Sequence, residues 1–240
     1  MNDEFCEAVK DGCFITVSYF INQGADIHYK NDYALREAAK QGHLEIVKLL
    51  IDRSANVHSL DDEALRSAAE NGHFEIVKYL INQDADIHAL DDQALRNAAW
   101  YAHLEVVQYL IDQGANVHAE DDLALCEAAG NGHLEVVNHG ADIHAKNNCA
   151  LLWAVNEGHF EVVKYLIDHG VDIHANDDQV LDWAVCAYKY EYKYKIIWYL
   201  IDHGADVNKF YGDKNYIKYI EYNVDQTIKS MIKQSIINDL

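Results

Sequence analysis

Proline is absent from all 240 residues. No turn can draw its stiffness from a locked φ, and no helix is stopped by a missing N–H. Cations are scarce: 19 Lys+Arg stand against 40 Asp+Glu, a net charge of −21. That balance argues against a nucleic-acid or anionic-membrane surface, because phosphate binding needs clustered cations. No apolar run reaches the roughly 18 residues of a transmembrane helix. Cysteine is sparse and odd in number (Cys6, Cys13, Cys126, Cys149 and Cys186), with no CxxC pair. No secretory apolar segment follows "MNDEFCEAVK". The thiols are therefore expected to be reduced, in the cytoplasm or nucleus.

What the sequence has is a period. "ALREAAKQGHLEIVKLLIDRSANVHSLDDE" (34–63) aligns with 64–93 and 94–123 at a spacing of 30 residues. A more divergent copy covers 4–33, a shortened one of 26 residues covers 124–149, and 150–179 returns to 30. The last copy, 180–212, gains four residues in "YKYEYKYK", Tyr188 to Lys195. Self-similarity at this spacing marks stacked supersecondary units, none of which can bury its apolar faces alone.

Each copy reads as two helices and a loop. Leu35, Ala38 and Ala39 recur at helical spacing, and the small side chains admit a close neighbour. Gly42 supplies a stop that tolerates positive φ. The second helix, from Leu44 to about Arg53, is apolar at 44, 46, 47, 50 and 51. That suits packing between neighbouring copies.

The stretches "GHLEIVKLLI", "GHFEIVKYLI" and "GHFEVVKYLI", followed by "GADIH", "GANVH" and "GADVN", resemble the ankyrin repeat family, over about nine tenths of the chain. Two departures stand out: the family repeat is about 33 residues long, and its Thr-Pro-Leu-His helix start is replaced here by "ALR" or a relative. The projecting β-hairpins should be cut back to plain turns. Short proline-free repeats rich in Ile, Tyr, Asn and Lys also look like ankyrin proteins of giant DNA viruses of amoebae. The resemblance implies an all-α ankyrin-repeat solenoid over 1–212, with 213–240 as a C-terminal helical cap.

His58, His88, His118 and His174 each precede a double aspartate. These residue types serve metal sites and acid–base catalysis. Equivalent residues on packed helices lie about 8–10 Å apart, too far to converge on a zinc ion at about 2 Å. Asp61 or Asp62 is instead expected to cap the following helix, and His58 to hold loop backbone. His43, His73, His103, His133 and His159 form a second column with an expected structural role. Arg36, Arg66 and Arg96 form a third, expected either to fork to the neighbouring Asp-Asp carboxylates or to face a ligand.

Specificity in a repeat array lies where copies differ. Position 37 and its equivalents read Glu7, Glu37, Ser67, Asn97, Glu127, Trp153 and Trp183, and Trp100 and Tyr101 stand at the equivalents of 40 and 41. Exposed aromatics anchor interfaces, although altered neighbours can also leave gaps for them to fill. The expected function is non-enzymatic binding of a protein partner on the concave face that ankyrin first helices line. The partner-binding residues would be Arg36, Arg66, Arg96, Trp100, Tyr101, Trp153 and Trp183. The acidic charge favours a basic partner, a host protein if the chain is viral. No cofactor, metal, nucleic acid or membrane is expected, and the chain should be a cytoplasmic monomer. The alternatives are a His/Asp metal or enzymatic protein, and a substrate of ankyrin loop hydroxylation at Asn208 or the column histidines.

Overall fold

The computed structural model describes residues 1–140, 148–187, 190–206 and 230. Among the described residues the chain is helical, without strands, and its helices come in pairs. These are α1 (Asn2–Lys10) and α2 (Phe14–Asn22), α3 (Tyr29–Gln41) and α4 (Leu44–Asp52), α5 (Glu63–Glu70) and α6 (Phe74–Ile81). They continue as α7 (Ala89–Trp100) and α8 (Leu104–Asp112), α9 (Ala119–Gly130) and α10 (Leu134–Gly140), α11 (Cys149–Glu157) and α12 (Phe160–Asp168), α13 (Ala175–Cys186) and α14 (Tyr190–Asp202). Two compact units divide the chain, Met1–Ala124 and Leu125–Leu240.

In the first unit α1, α3, α5 and α7 pack in order, and each lies on its own second helix. In the second unit α11 packs on α12 and α13, and α14 on α12 and α13. The core follows the repeat. Ala34, Leu35, Ala38 and Ala39 of the first helix are buried, as are Ile46, Val47 and Leu50 of the second. Leu44 and Ile51 are only half-buried, so the second helix presents a narrower apolar face than its composition suggested. The expected all-α stack of helical hairpins is what forms.

The turn between paired helices shows why glycine recurs there. Gly12, Gly42, Gly72, Gly132 and Gly158 all have φ between 70° and 83°. At Gly12, Gly42, Gly72 and Gly132 the histidine of the next copy lies on that glycine. A Cβ on Gly12, Gly72 or Gly132 would stand 2.5 Å from the ring of His43, His103 or His159. The same histidines donate Nε2–H to a carbonyl of the preceding copy: His43 to Lys10, His73 to Lys40 and His103 to Glu70, at 2.9–3.1 Å. Glycine is needed twice over, for its backbone and for the ring above it. The histidines have the structural role expected of them, as ties between copies.

The irregular copies depart where the register breaks. Helix α10 has 7 residues against 9 in α8, and Val136 and Val137 remain buried. The four residues added to the last copy become helix: α14 has 13 residues against 9 in α12. Its cations are absorbed by packing. Lys193 is buried and donates to the Ala187 carbonyl. The Lys195 ammonium lies 3.7 Å from the centre of the Phe160 ring and 3.6 Å from Glu161. The proposed cap over 213–240, with residue 230 alone described, and Asn208 lie outside the described residues.

The cysteine reading is corrected. Cys126 and Cys149 are joined in a disulfide, while Cys6, Cys13 and Cys186 are in none. They lie 23 residues apart, near the two ends of the 124–149 copy and on different first helices, α9 and α11, and are brought together only by stacking, which no local spacing reveals.

Ala102 takes the interhelical glycine position and is held at φ 62°. Ala102→Gly is expected to raise the unfolding free energy by about 1 kcal/mol in urea titrations. Gly72→Ala should lower it by more than that, because it also displaces the His103 ring. A loss at Ala102→Gly would contradict this account of the turn.

Candidate partner-binding site

The loop that leads into each first helix is built from three consecutive left-handed residues. They are 30–32, 60–62, 90–92 and 120–122, with φ between 48° and 65°. An L-residue in this conformation costs roughly 1–2 kcal/mol, so the turn needs support from outside itself. The third residue supplies part of it. Asp32, Asp62, Asp92 and Asp122 are 4–7% exposed. Each carboxylate accepts from Nδ1 of the histidine four residues earlier: His28, His58, His88 and His118 respectively. An ionised carboxylate can only accept, so those rings carry their proton on Nδ1.

The same Oδ1 atoms reach into the next copy. Asp32 accepts from the backbone N–H of Asn56 at 2.9 Å, Asp62 from Asp86 at 2.9 Å, and Asp92 from Asn116 at 2.8 Å. The receiving residues pass the chain on. Asn56, Asp86 and Asn116 each accept, through Oδ1, the N–H of the histidine two residues later. The result is one line of hydrogen bonds running from Asp26 to Asp122 in the first unit. In the second unit Asn148 replaces the aspartate and donates its amide to the Asp172 carbonyl.

The expected helix cap is therefore corrected. Asp62 stands at the start of α5 but makes no capping bond with its side chain. Capping needs an extended backbone at that residue, and Asp62 has φ 56° and ψ 38°. The expectation that His58 holds loop backbone is corrected too, since its ring bonds a carboxylate. Every one of these carboxylates is already engaged. Among the described residues no three His, Cys, Asp or Glu side chains gather closely enough to hold a metal ion.

The arginine column completes the turn. Arg36 donates Nε–H to the Asn31 carbonyl at 3.0 Å and an Nη2 proton to the Lys30 carbonyl at 2.9 Å. Its Nη1 reaches Glu63, at the start of α5, at 2.8 Å. Arg66 does the same with Asp61, Leu60 and Gln93. Arg96 bonds the Leu90 carbonyl and Glu120, leaving its buried Nε–H without a partner. The guanidinium groups thus serve the carbonyls of the left-handed residues, where the sequence pointed to the Asp-Asp carboxylates. Arg36 and Arg96 have side chains only 13% and 16% exposed, which leaves little of either for a ligand.

The aromatic residues divide. In the first unit Trp100 is 41% and Tyr101 51% exposed at the end of α7, with the Tyr101 ring stacked on His103. In the second unit Trp183 is exposed, while Trp153 is half-buried. Trp153 lies against Gly130, where a Cβ would come within 2.9 Å of its ring. The gap-filling role applies to Trp153. Other exposed apolar side chains were missed: Trp198, and Leu60 and Leu90 at the first left-handed residue of their turns. Ile15 is missed as well, and is the most exposed of them at 81%. It takes the place of Glu45, Glu75, Glu105, Glu135 and Glu161, a contrast that the repeat register alone displays. A cleft of about 240 Å³ lined by Gly132, Gly158, His159, Phe160, Glu161, Val162 and Tyr192 contains none of the expected binding residues.

Within "LDDQ", Asp91 and Asp92 should behave oppositely. Asp92→Ala strands the His88 and Asn116 donors and is expected to cost about 3 kcal/mol. Asp91→Gly relieves a left-handed residue and is expected to gain about 0.5–1 kcal/mol. Chemical denaturation measures both, and equal losses would refute the assignment of the carboxylates.

Three copies of the family model described as ankyrin repeats match the chain, at residues 5–91, 58–121 and 125–211. The crystal structure of the human ASB11 ankyrin repeat domain superposes with a TM-score of 0.70 at 22% identity, over 81% of this chain and 96% of that one. No curated protein matches the chain. Ankyrin repeats are in general non-enzymatic modules that bind protein partners, and the matches indicate no catalytic family. Among the described residues no helix is long and apolar enough to cross a membrane. On the repeated motif, the helical stack and these matches, the chain belongs to the ankyrin repeat family.

Proposed function

We propose that this chain is a non-enzymatic scaffold that binds a protein partner through its first helices, the concave face in ankyrin proteins. The observation that carries this reading is the exposed pair Trp100 and Tyr101. In the other copies of the first unit the same two positions hold Lys10 and Asp11, Lys40 and Gln41, and Glu70 and Asn71. Both are large aromatic side chains with much of their surface open to water, of the kind that most often anchors an interface. Trp183 offers a similar ring in the second unit.

The net charge of −21 favours a basic partner and speeds its approach at low salt. The partner is a host protein if the compositional likeness to viral ankyrin proteins holds. Arg36, Arg66 and Arg96 support this surface from within by fixing the turns. Trp153 contributes shape more than contact. The chain acts as a monomer in the cytoplasm.

Affinity capture from lysate tests this reading. The double variant Trp100→Ala, Tyr101→Ala should lose about tenfold or more of the captured partner, with its melting temperature unchanged. Trp183→Ala should lose less. Capture equal to the wild type by both variants would overturn the proposal.

A further inference from the structure

The arginine column stops at Arg96. In the next copy its position belongs to Cys126. The residue directly after the left-handed Asp62, Asp92 or Asn148 is Glu63 opposite Arg36, Gln93 opposite Arg66, and Cys149 opposite Cys126. The disulfide, with Cα atoms 5.5 Å apart, thus stands at the register position of the bridges that Arg36 and Arg66 make to the following first helix. It does so in the one copy that has 26 residues in place of 30 and a second helix of 7 residues.

We propose that Cys126 and Cys149 form a redox-controlled tie between the successive first helices α9 and α11, the covalent counterpart of the arginine bridge. The two cysteines differ in exposure. Cys126 is 1% exposed, whereas Cys149 is only half-buried. Cys149 is therefore the sulfur that meets an external reagent, and Cys126 resolves it. With a small disulfide such as oxidised glutathione, the Cys149 thiolate attacks one glutathione sulfur and releases the first glutathione thiol. The Cys126 thiolate then attacks the Cys149 sulfur and releases the second. Two protein S–H bonds and one glutathione S–S bond are lost. One protein S–S bond and two glutathione S–H bonds form, and two electrons pass from the protein to glutathione. Reduced glutathione reverses the sequence, attacking first at Cys149.

The tie sets more than stability. Gly130 lies four residues after Cys126 on α9, and Trp153 four residues after Cys149 on α11. Residues four apart share a helix face, so the disulfide and the Gly130–Trp153 contact are consecutive rungs of one helix pair. Oxidation fixes the place of Trp153; reduction leaves it held by packing alone.

The test compares the full chain in oxidised and in reduced glutathione, with thiols mapped by maleimide labelling and mass spectrometry. The oxidised wild type should leave Cys126 and Cys149 unlabelled and melt about 5–10 °C above the reduced form. The tryptophan emission should differ between the two forms. Cys126→Ser with Cys149→Ser should melt near the reduced value in both buffers. Cys126→Arg with Cys149→Glu should be insensitive to redox state and melt above the serine pair. Labelling of both cysteines in the folded, oxidised chain would overturn the proposal. So would equal melting of oxidised and reduced wild type. An arginine–glutamate pair that melts no higher than the serine pair would overturn the equivalence with the arginine column.

Discussion

One buried carboxylate per copy carries the architecture of the first unit. Asp32, Asp62 and Asp92 each sit at the end of three left-handed residues, and each accepts a histidine within the copy and a backbone N–H in the next. The three strained residues cost about 3–6 kcal/mol together. Two bonds to an ionised acceptor contribute about the same, at roughly 1.5–3 kcal/mol each. The strain and the cohesion are thereby coupled. The turn exists in this form only because another copy stands beside it, and the copies stay together because the turn aims its carboxylate outward. Arginine adds to the coupling by holding the carbonyls that the left-handed turn leaves pointing out of the helix.

The helices, their pairing and the interhelical glycines were legible in the sequence, because period and small-residue spacing report on them directly. The partners of Asp62, Arg66 and Cys126 were not. A turn three residues shorter than the family's loop can close in more than one way. The motif His-x-x-Asp-Asp does not reveal that its last residue is left-handed. Once the handedness is known, the carboxylate has to leave its own helix, and its acceptor sites face 24 residues ahead. From sequence alone the aspartate reads as a local cap, because local capping is the commoner use of that residue at that place. In the candidate site, the exposure of Trp100, Tyr101 and Trp183 agreed with their departure from the repeat. Trp153 showed the limit of the same reasoning, since a small neighbour, Gly130, lies beneath it.

Framework and surface are largely separated in the first unit. The letters that copies share are spent on histidine–carbonyl, histidine–carboxylate and arginine–carbonyl bonds. Several of the letters that differ there reach solvent, as at Trp100, Tyr101 and Ile15. A surface can then change without disturbing the stack, which is the property a binding scaffold requires. The last copy shows the same economy with an insertion. Four added residues lengthen α14 by about one turn, and Lys193 and Lys195 of the lengthened helix are taken up by the Ala187 carbonyl and by Phe160 and Glu161.

The line of hydrogen bonds from Asp26 to Asp122 has a direction: every copy offers an acceptor forward and a donor backward. Because those bonds are 24 residues long inside a 30-residue period, a gene that gains or loses one whole period mends itself. Each new seam finds a carboxylate facing an N–H, as every old seam did. Array length can thus change by duplication at no cost in unsatisfied polar groups, whereas a deletion of any other size leaves a mismatch. The 26-residue copy is such a deletion, and its seam is where asparagine and a disulfide have taken over from aspartate and arginine.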